Sequence, residues 1–208
     1  GYGADVLLVP PDQRDTKPLE LAAEHGYALV PPYDDPAVIA GTGTIGAEIA
    51  ADLPDVDLVL VPVSGGRLIS GIATAVKTRC PQARVVGVEP ELAADAAESF
   101  RRGERVEWSP ELTFRTAADG LRVAGVGELP WLHIQQYVDD IVTVTEDQIR
   151  DAVRLLARSA RLVAEPSGAV ATAAYLAHPS LAEHAGTAVA VLSGGNADPA
   201  LLAEILSS

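Results

Sequence analysis

Short apolar runs alternate with helix-period segments along most of this chain, and that alternation restricts the fold more than any other feature. The runs DVLLVP (5–10), DLVLVPV (57–63), ARVVGVE (83–89) and TAVAVL (187–192) carry apolar residues at successive rather than alternating positions, and DIVTVT (140–145) reads as a further strand. Runs of that kind suit strands covered on both faces, the setting of a mostly parallel sheet. The predicted fold class is therefore α/β, with a mostly parallel sheet flanked by helices.

The intervening segments carry helix signals. DTKPLELAAEHG (15–26) reads as a helix starting near Asp15 or Thr16 and closed by Gly26, and YALVPPY (27–33) as another extended piece. Asp35-Pro36 supplies an N-cap and a first-turn proline for a helix running to Leu53. LISGIATAVKTRC (68–80) is a helix ending before Pro81, and with its flanking runs it makes a βαβ unit whose crossover should be right-handed. Thr145 and Gln148 form a capping box opening a helix with Ile149, Val153 and Leu156 on one face. EPSGAVATAAYLA (165–177) reads as a closely packed helix capped by Ser167, and a short helix follows SGGN at the end of the sequence. Residues 91–140 read as loops and short helices.

IAGTGTIGAEIA (39–50) matches G-x-G-x-x-G through Gly41, Gly43 and Gly46. A dinucleotide loop requires a strand leading into the first glycine, so that the turn aims helix N–H groups at a pyrophosphate. The preceding PPYDDPAV is proline-rich loop, so these glycines read instead as close-packing positions on a helix. A nucleotide-binding protein is the weaker rival on this ground.

Composition excludes several other classes. A net charge of −14 repels polyanions, which argues against nucleic acid and anionic membranes. One cysteine, Cys80, excludes an internal disulfide framework, and His25, His133, His178 and His184 offer no zinc spacing. No run reaches transmembrane length and no signal peptide opens the sequence, so the expected compartment is cytoplasmic. The chain has no methionine and opens with GYGADVLLVP, entering a strand at once, so it reads as a portion of something longer.

Two turns carry the chemistry. VPVSGGRLISG places Ser64, Gly65, Gly66 and Arg67 between a strand and a helix, where backbone N–H groups and the helix N-terminus form an anion site. LSGGN repeats the arrangement after the last strand, with Ser193 projecting a hydroxyl from the carboxyl edge where open α/β sheets bind ligands. Either alone is also an ordinary tight turn; two on one edge favour a ligand.

PPYDDPAVIAGTGTIGAEI, LVPVSGGRLISGIA, VVGVEPELAADAAESF, TAADGLRV, YVDDIVTVTEDQIRDAV, VAEPSGAVATAAYL and VAVLSGGNAD occur in one order over nearly the whole chain. That ordered set resembles the threonine dehydratase and serine racemase family of fold-type II pyridoxal-phosphate enzymes, tryptophan synthase β-like in fold. The resemblance implies that residues 1–35 are the remainder of a small domain and 36–208 a large cofactor-binding domain. It implies that the backbone of Ser64, Gly65, Gly66 and Arg67 cradles the phosphate of pyridoxal 5′-phosphate. The family usually has four glycines there, so Ser64 and Arg67 are departures; Arg67 either adds a cation or spoils the cradle by its bulk. Ser193 matches the serine that bonds the pyridine nitrogen, with Gly194, Gly195 and Asn196 shaping that wall. A neutral hydroxyl there does not enforce a protonated ring. Gly120 matches a backbone position close to the ring.

The same resemblance makes Glu89, the Ala93 carbonyl and Asp95 a divalent-cation site, and oxygen-only ligation suits Mg²⁺ or Ca²⁺. The alternative reading of these carboxylates is a solvated acidic face. Glu165 is either a helix-start carboxylate favoured by the dipole or a pocket residue, as its match to the family implies.

One group is missing. Family chemistry needs a Schiff-base lysine, and the chain has only Lys17 and Lys77, neither in the family's Ser-x-Lys setting. No catalytic residue is assigned. By resemblance the chain is the C-terminal portion of an L-threonine or L-serine dehydratase that releases a 2-oxo acid and ammonia, inactive alone and dependent on a missing N-terminal segment or a complementary chain. The resemblance also implies a homodimer acting on a small amino-acid substrate. An amino-acid racemase of the same family and a non-catalytic relative are the alternatives.

Overall fold

A computed structural model describes residues 3–10, 13, 16–183 and 185–207. The expected helix start at Asp15, and His184, lie outside the described residues. The chain divides into two units, Gly1–Pro31 and Pro32–Ser208.

In the first unit, helix α1 (Lys17–His25) has a proline in its first turn and is closed by Gly26 at φ 70°, whose amide donates to the Ala22 carbonyl. The strand predicted for residues 5–10 does not form. Val6 and Leu8 are 81% and 89% exposed, and no ladder partner runs alongside them among the described residues. A strand is held by its neighbour's hydrogen bonds, so an apolar run without one stays irregular. YALVPPY likewise enters no ladder.

The second unit opens with α2 (Pro36–Asp52), capped as expected by Asp35, whose Oδ1 accepts from the amides of Ala37 at 2.8 Å and Val38 at 3.0 Å. Then follow β1 (Leu58–Pro62), α3 (Arg67–Arg79), β2 (Arg84–Pro90), α4 (Asp95–Arg102), the short α5 (Pro110–Thr113), a 3₁₀ turn at Asp119–Leu121 and α6 (Glu128–Tyr137). β3 (Asp140–Val144) leads to α7 (Glu146–Leu155), which runs into a π-helical turn (Leu156–Ala160). α8 (Pro166–Ala177), α9 (Pro179–Ala182), β4 (Ala188–Ala190) and α10 (Pro199–Ser207) complete it. The Thr145–Gln148 capping box forms at the start of α7.

The sheet has the order β3-β2-β1-β4, and every pair is parallel. Side chains of β1 alternate between two cores, as strands buried on both faces must. Val59 and Val61 pack with Ile69, Ile72 and Val76 of α3 and Ile134 of α6. Leu58 and Leu60 face Ile149 and Val153 of α7 and the small residues of α8.

The glycines of the G-x-G-x-x-G match act in helix packing. A Cβ on Gly46 would lie 2.6 Å from the Ile72 carbonyl oxygen, and one on Gly43 would lie 3.4 Å from that of Gly71, so α2 and α3 approach at backbone distance. Gly41 has no such neighbour and takes no part. Ser167 is not the cap of α8: Glu165 occupies that position and Ser167 lies inside the first turn, displaced because Pro166 starts the helix two residues earlier. No helix among the described residues is long and apolar enough to cross a membrane.

Candidate active site

β1 has β2 on one side and β4 on the other, so the chain reverses its direction of winding between β1 and β4. Open parallel sheets bind ligands beyond the carboxyl ends of the strands at such a point. The pairing of Leu60 with Ala190 puts the segments leaving Pro62 and Leu192 level with each other, about one strand spacing of ~4.8 Å apart. The Ser64–Arg67 turn and the Ser193–Asn196 segment therefore leave the same edge of the sheet from neighbouring strands.

The first turn has the construction of an anion cradle. Gly66 caps the 13-residue α3 with φ 90°, a conformation costly for other residues. A Cβ there would also lie 2.7 Å from Pro130 Cβ. At Gly65 a Cβ would collide with the ring of Tyr33. Among the described residues Arg161 is the sole non-glycine with positive φ, so Ser64 and Arg67 sit in backbone conformations open to any L-residue. The two departures from a four-glycine turn thus fall where glycine is not conformationally required. Among the described residues no protein acceptor takes the amide hydrogens of Ser64, Gly65, Gly66 or Arg67. Those are the donors a phosphate at a helix N-terminus accepts from. The Arg67 side chain is exposed, so its bulk does not fill the turn. Gly66→Ala should cost about 1–3 kcal/mol of stability through its backbone strain, read as a lower midpoint in urea.

On the other side of the edge, Glu165 does not cap α8 with its side chain. Its carboxylate lies against Gly194, where a Cβ would collide with Oε1, and 4.0 Å from the Cβ position of Gly120. Ser167, which the sequence suggested only as a cap, holds this cluster. It is buried, and its Oγ accepts from the Gly120 amide at 2.9 Å and faces Asp119 Oδ1 at 3.5 Å. Glu165 also lines a cleft of about 260 Å³ with Asp119, Arg122, Asn196 and Asp198. Ser193 is exposed and its hydroxyl has no protein partner among the described residues. Gly120, Glu165 and Gly194 are thus brought together, while the Ser64–Arg67 turn is related to them by the register of β1 and β4 and not by direct contact.

The acidic pair lies at the end of β2. Glu89 and Asp95 are 1% and 0% exposed, so the solvated-face reading fails for both. Glu89 accepts from the amides of Ala96 at 3.2 Å and Ala97 at 2.7 Å, whereas both Asp95 oxygens are buried without any hydrogen-bond partner. Ala93 is fully buried between them in sequence, and among the described residues no donor reaches its carbonyl. Burial, and then the neighbouring Asp95, hold Glu89 well above the usual carboxylate range, and burial pushes Asp95 up to about 7. Orphaned oxygens in so dry a place take up either a proton or a cation, and among the described residues no group of three metal-ligating side chains surrounds them.

Both lysines are engaged elsewhere. Lys77 Nζ pairs with Asp139 at 2.7 Å and Lys17 Nζ with Glu20 at 2.8 Å.

A parallel sheet carrying unpaired turn amides and a hydroxyl on neighbouring strands at its winding reversal has the construction of a site for a phosphorylated ligand. Residues 1–194 match the family model described as pyridoxal-phosphate dependent enzyme, and the chain belongs to that family. It is 42% identical to the L-threonine ammonia-lyase of Thermotoga maritima over 210 residues, covering 99% of this chain and 50% of that one. It superposes on the processed form of threonine deaminase isoform 2 from Solanum lycopersicum with TM-score 0.84 and 39% identity, over 91% of this chain and 52% of that one. For maize serine racemase the values are 0.89 and 32%, over 99% and 63%. The chain therefore spans between half and two thirds of the length of these relatives. The fold is the fold-type II one expected.

Proposed function

We propose that this chain supplies the cofactor-binding part of a pyridoxal-phosphate-dependent ammonia-lyase acting on L-threonine or L-serine and yielding a 2-oxo acid and ammonia. The observation that carries it is the level placement of the Gly66 turn and the Ser193 segment on one sheet edge. The cofactor, when bound, supplies an electron sink for the substrate's α-carbon. The Ser64–Arg67 amides hold the phosphate, with Arg67 adding a cation from the surface. Ser193 offers the ring nitrogen a neutral hydroxyl, and Gly194 and Gly120 present backbone against the ring. Glu165 stands beside them as a carboxylate facing Gly194 and Gly120. Glu89, Asp95 and the Ala93 carbonyl bind Mg²⁺ or Ca²⁺ and brace the end of β2.

A Schiff-base lysine comes, in this reading, from a segment outside these 208 residues, and residues 1–35 belong with that segment as a small domain. A cytoplasmic homodimer completes it. The likeness to serine racemase supports a second outcome at the same site, inversion at the α-carbon.

The natural assembly containing this chain should show a visible absorption band that borohydride abolishes, and should release ammonia from L-threonine or L-serine. D-serine without ammonia would favour the racemase. No band from that assembly, saturated with pyridoxal 5′-phosphate, would reject both and leave a non-catalytic relative.

A further inference from the structure

Three helix starts meet at the tripeptide Tyr33-Asp34-Asp35, and only one of its two aspartates serves its own helix. Asp35 caps α2 locally. Asp34 reaches across the sequence: its Oδ2 accepts from the Glu128 amide at 3.0 Å and its Oδ1 from the Leu129 amide at 2.9 Å. It is therefore the side-chain cap of α6, whose own N-cap residue, Gly127, has none to offer.

The start of α6 is also what holds the Ser64–Arg67 turn. The Gly127 amide donates to the Gly65 carbonyl at 3.1 Å. Pro130 and Ile134 pack on the α-carbon of Gly66, and Tyr33 lies against both Gly65 and Gly127. Ser70 Oγ lies 2.7 Å from the Gly66 carbonyl and 3.3 Å from that of Pro130, tying α3 to α6. In a trans peptide the N–H points opposite to the C=O. Fixing the Gly65 carbonyl towards α6 consequently turns the Gly66 amide hydrogen away from α6, and fixing the Gly66 carbonyl towards Ser70 turns the Arg67 amide hydrogen away from the body of α3.

We infer that Asp34 is a positioning residue for phosphate: by capping α6 it holds the Gly127 amide against the Gly65 carbonyl and so aims the donors of the Gly66 turn. This rests on the reading that the turn binds the cofactor phosphate. Asp34 touches neither the turn nor a ligand there; it acts through Gly127.

Pyridoxine 5′-phosphate and pyridoxine are suitable probes, since neither carries the aldehyde that would label Lys17 or Lys77. Equilibrium dialysis of the 208-residue chain should show tighter binding of the phosphorylated probe. In Asp34→Ala that phosphate preference should fall about tenfold, equivalent to ~1.4 kcal/mol, with pyridoxine affinity unchanged. Asp34→Asn, which keeps one acceptor, should retain part of it. Asp35→Ala is the matched control, because it also strands two helix amides but none connected to the turn, and its preference should stay at the wild-type value. An undiminished preference in Asp34→Ala, or in Asp34→Asn and Tyr33→Leu should the alanine variant not fold, overturns the inference. So does an equal loss in Asp35→Ala, which would mark a general effect of uncapped helices. A wild-type chain with no phosphate preference removes the reading beneath it as well.

Discussion

Replacing Gly71 by alanine should destabilise the chain by about 3 kcal/mol, at the upper end of overpacking costs in well-filled interiors. A Cβ at this position would collide with Thr42 Oγ1, the Ile39 carbonyl oxygen and the Gly43 amide nitrogen. Two of these are backbone atoms of α2 and cannot rotate aside. The third is held: Thr42 Oγ1 lies 2.8 Å from the Ile39 carbonyl and 2.9 Å from that of Arg67, a pair of bonds that stitches α2 to the first turn of α3. Relief therefore requires α2 and α3 to separate, which also opens the contacts at Gly43 and Gly46 and moves Arg67, the residue that closes the anion turn. The midpoint in urea should drop with little change in slope, and any phosphate preference should drop with it. A loss below ~1 kcal/mol would mean that the helices slide apart freely and that the glycines are not packing positions.

That contact shows why the sequence was legible in some places and not others. The strand runs at 57–63 and 83–89 announce themselves because burial on both faces demands uninterrupted apolar residues, the half-buried edge strand at 140–145 through its β-branched residues, and Asp35-Pro36 and Thr145-Gln148 because caps are local. The run at 5–10 is as apolar, yet forms no strand among the described residues; pattern reports the capacity to be buried and says nothing of whether a partner is present. The turns at Ser64–Arg67 and Ser193 could be placed on one edge because carboxyl ends of parallel strands are recognisable as such. What could not be read was the support beneath them. Asp34 lies 94 residues from the amide it caps, and Ser167 47 residues from Gly120. Both look like ordinary local caps, and only the tertiary fold redirects them. Which glycines of the turn were indispensable was equally hidden, since φ and the positions of Tyr33 and Pro130 decide it.

The acidic pair makes the largest pH-dependent claim. Asp95 has its folded pKa raised from 3.8 to about 7 by burial, and Glu89 is raised in the same direction. A raised value means that the folded state binds the proton more tightly than the unfolded one. Its contribution is then complete below about pH 4 and is lost as pH rises through about 7. A rise of that size corresponds to at most about 4 kcal/mol, or a fall in Tm on the order of 10 °C for a chain of this size. In a chelating buffer wild type should lose stability between about pH 4 and 7. Millimolar Mg²⁺ or Ca²⁺ at about pH 8 should restore it, because a cation held by Glu89, Asp95 and the Ala93 carbonyl replaces the missing proton. Asp95→Asn should behave oppositely in both respects: more stable than wild type at about pH 8 without cations, since a buried uncompensated charge is removed, and indifferent to their addition. Calorimetry across that pH range, with and without each cation, separates the cases. A wild-type Tm that falls with pH but ignores both cations would leave the pair as a protonated dyad and remove the metal from the proposed site.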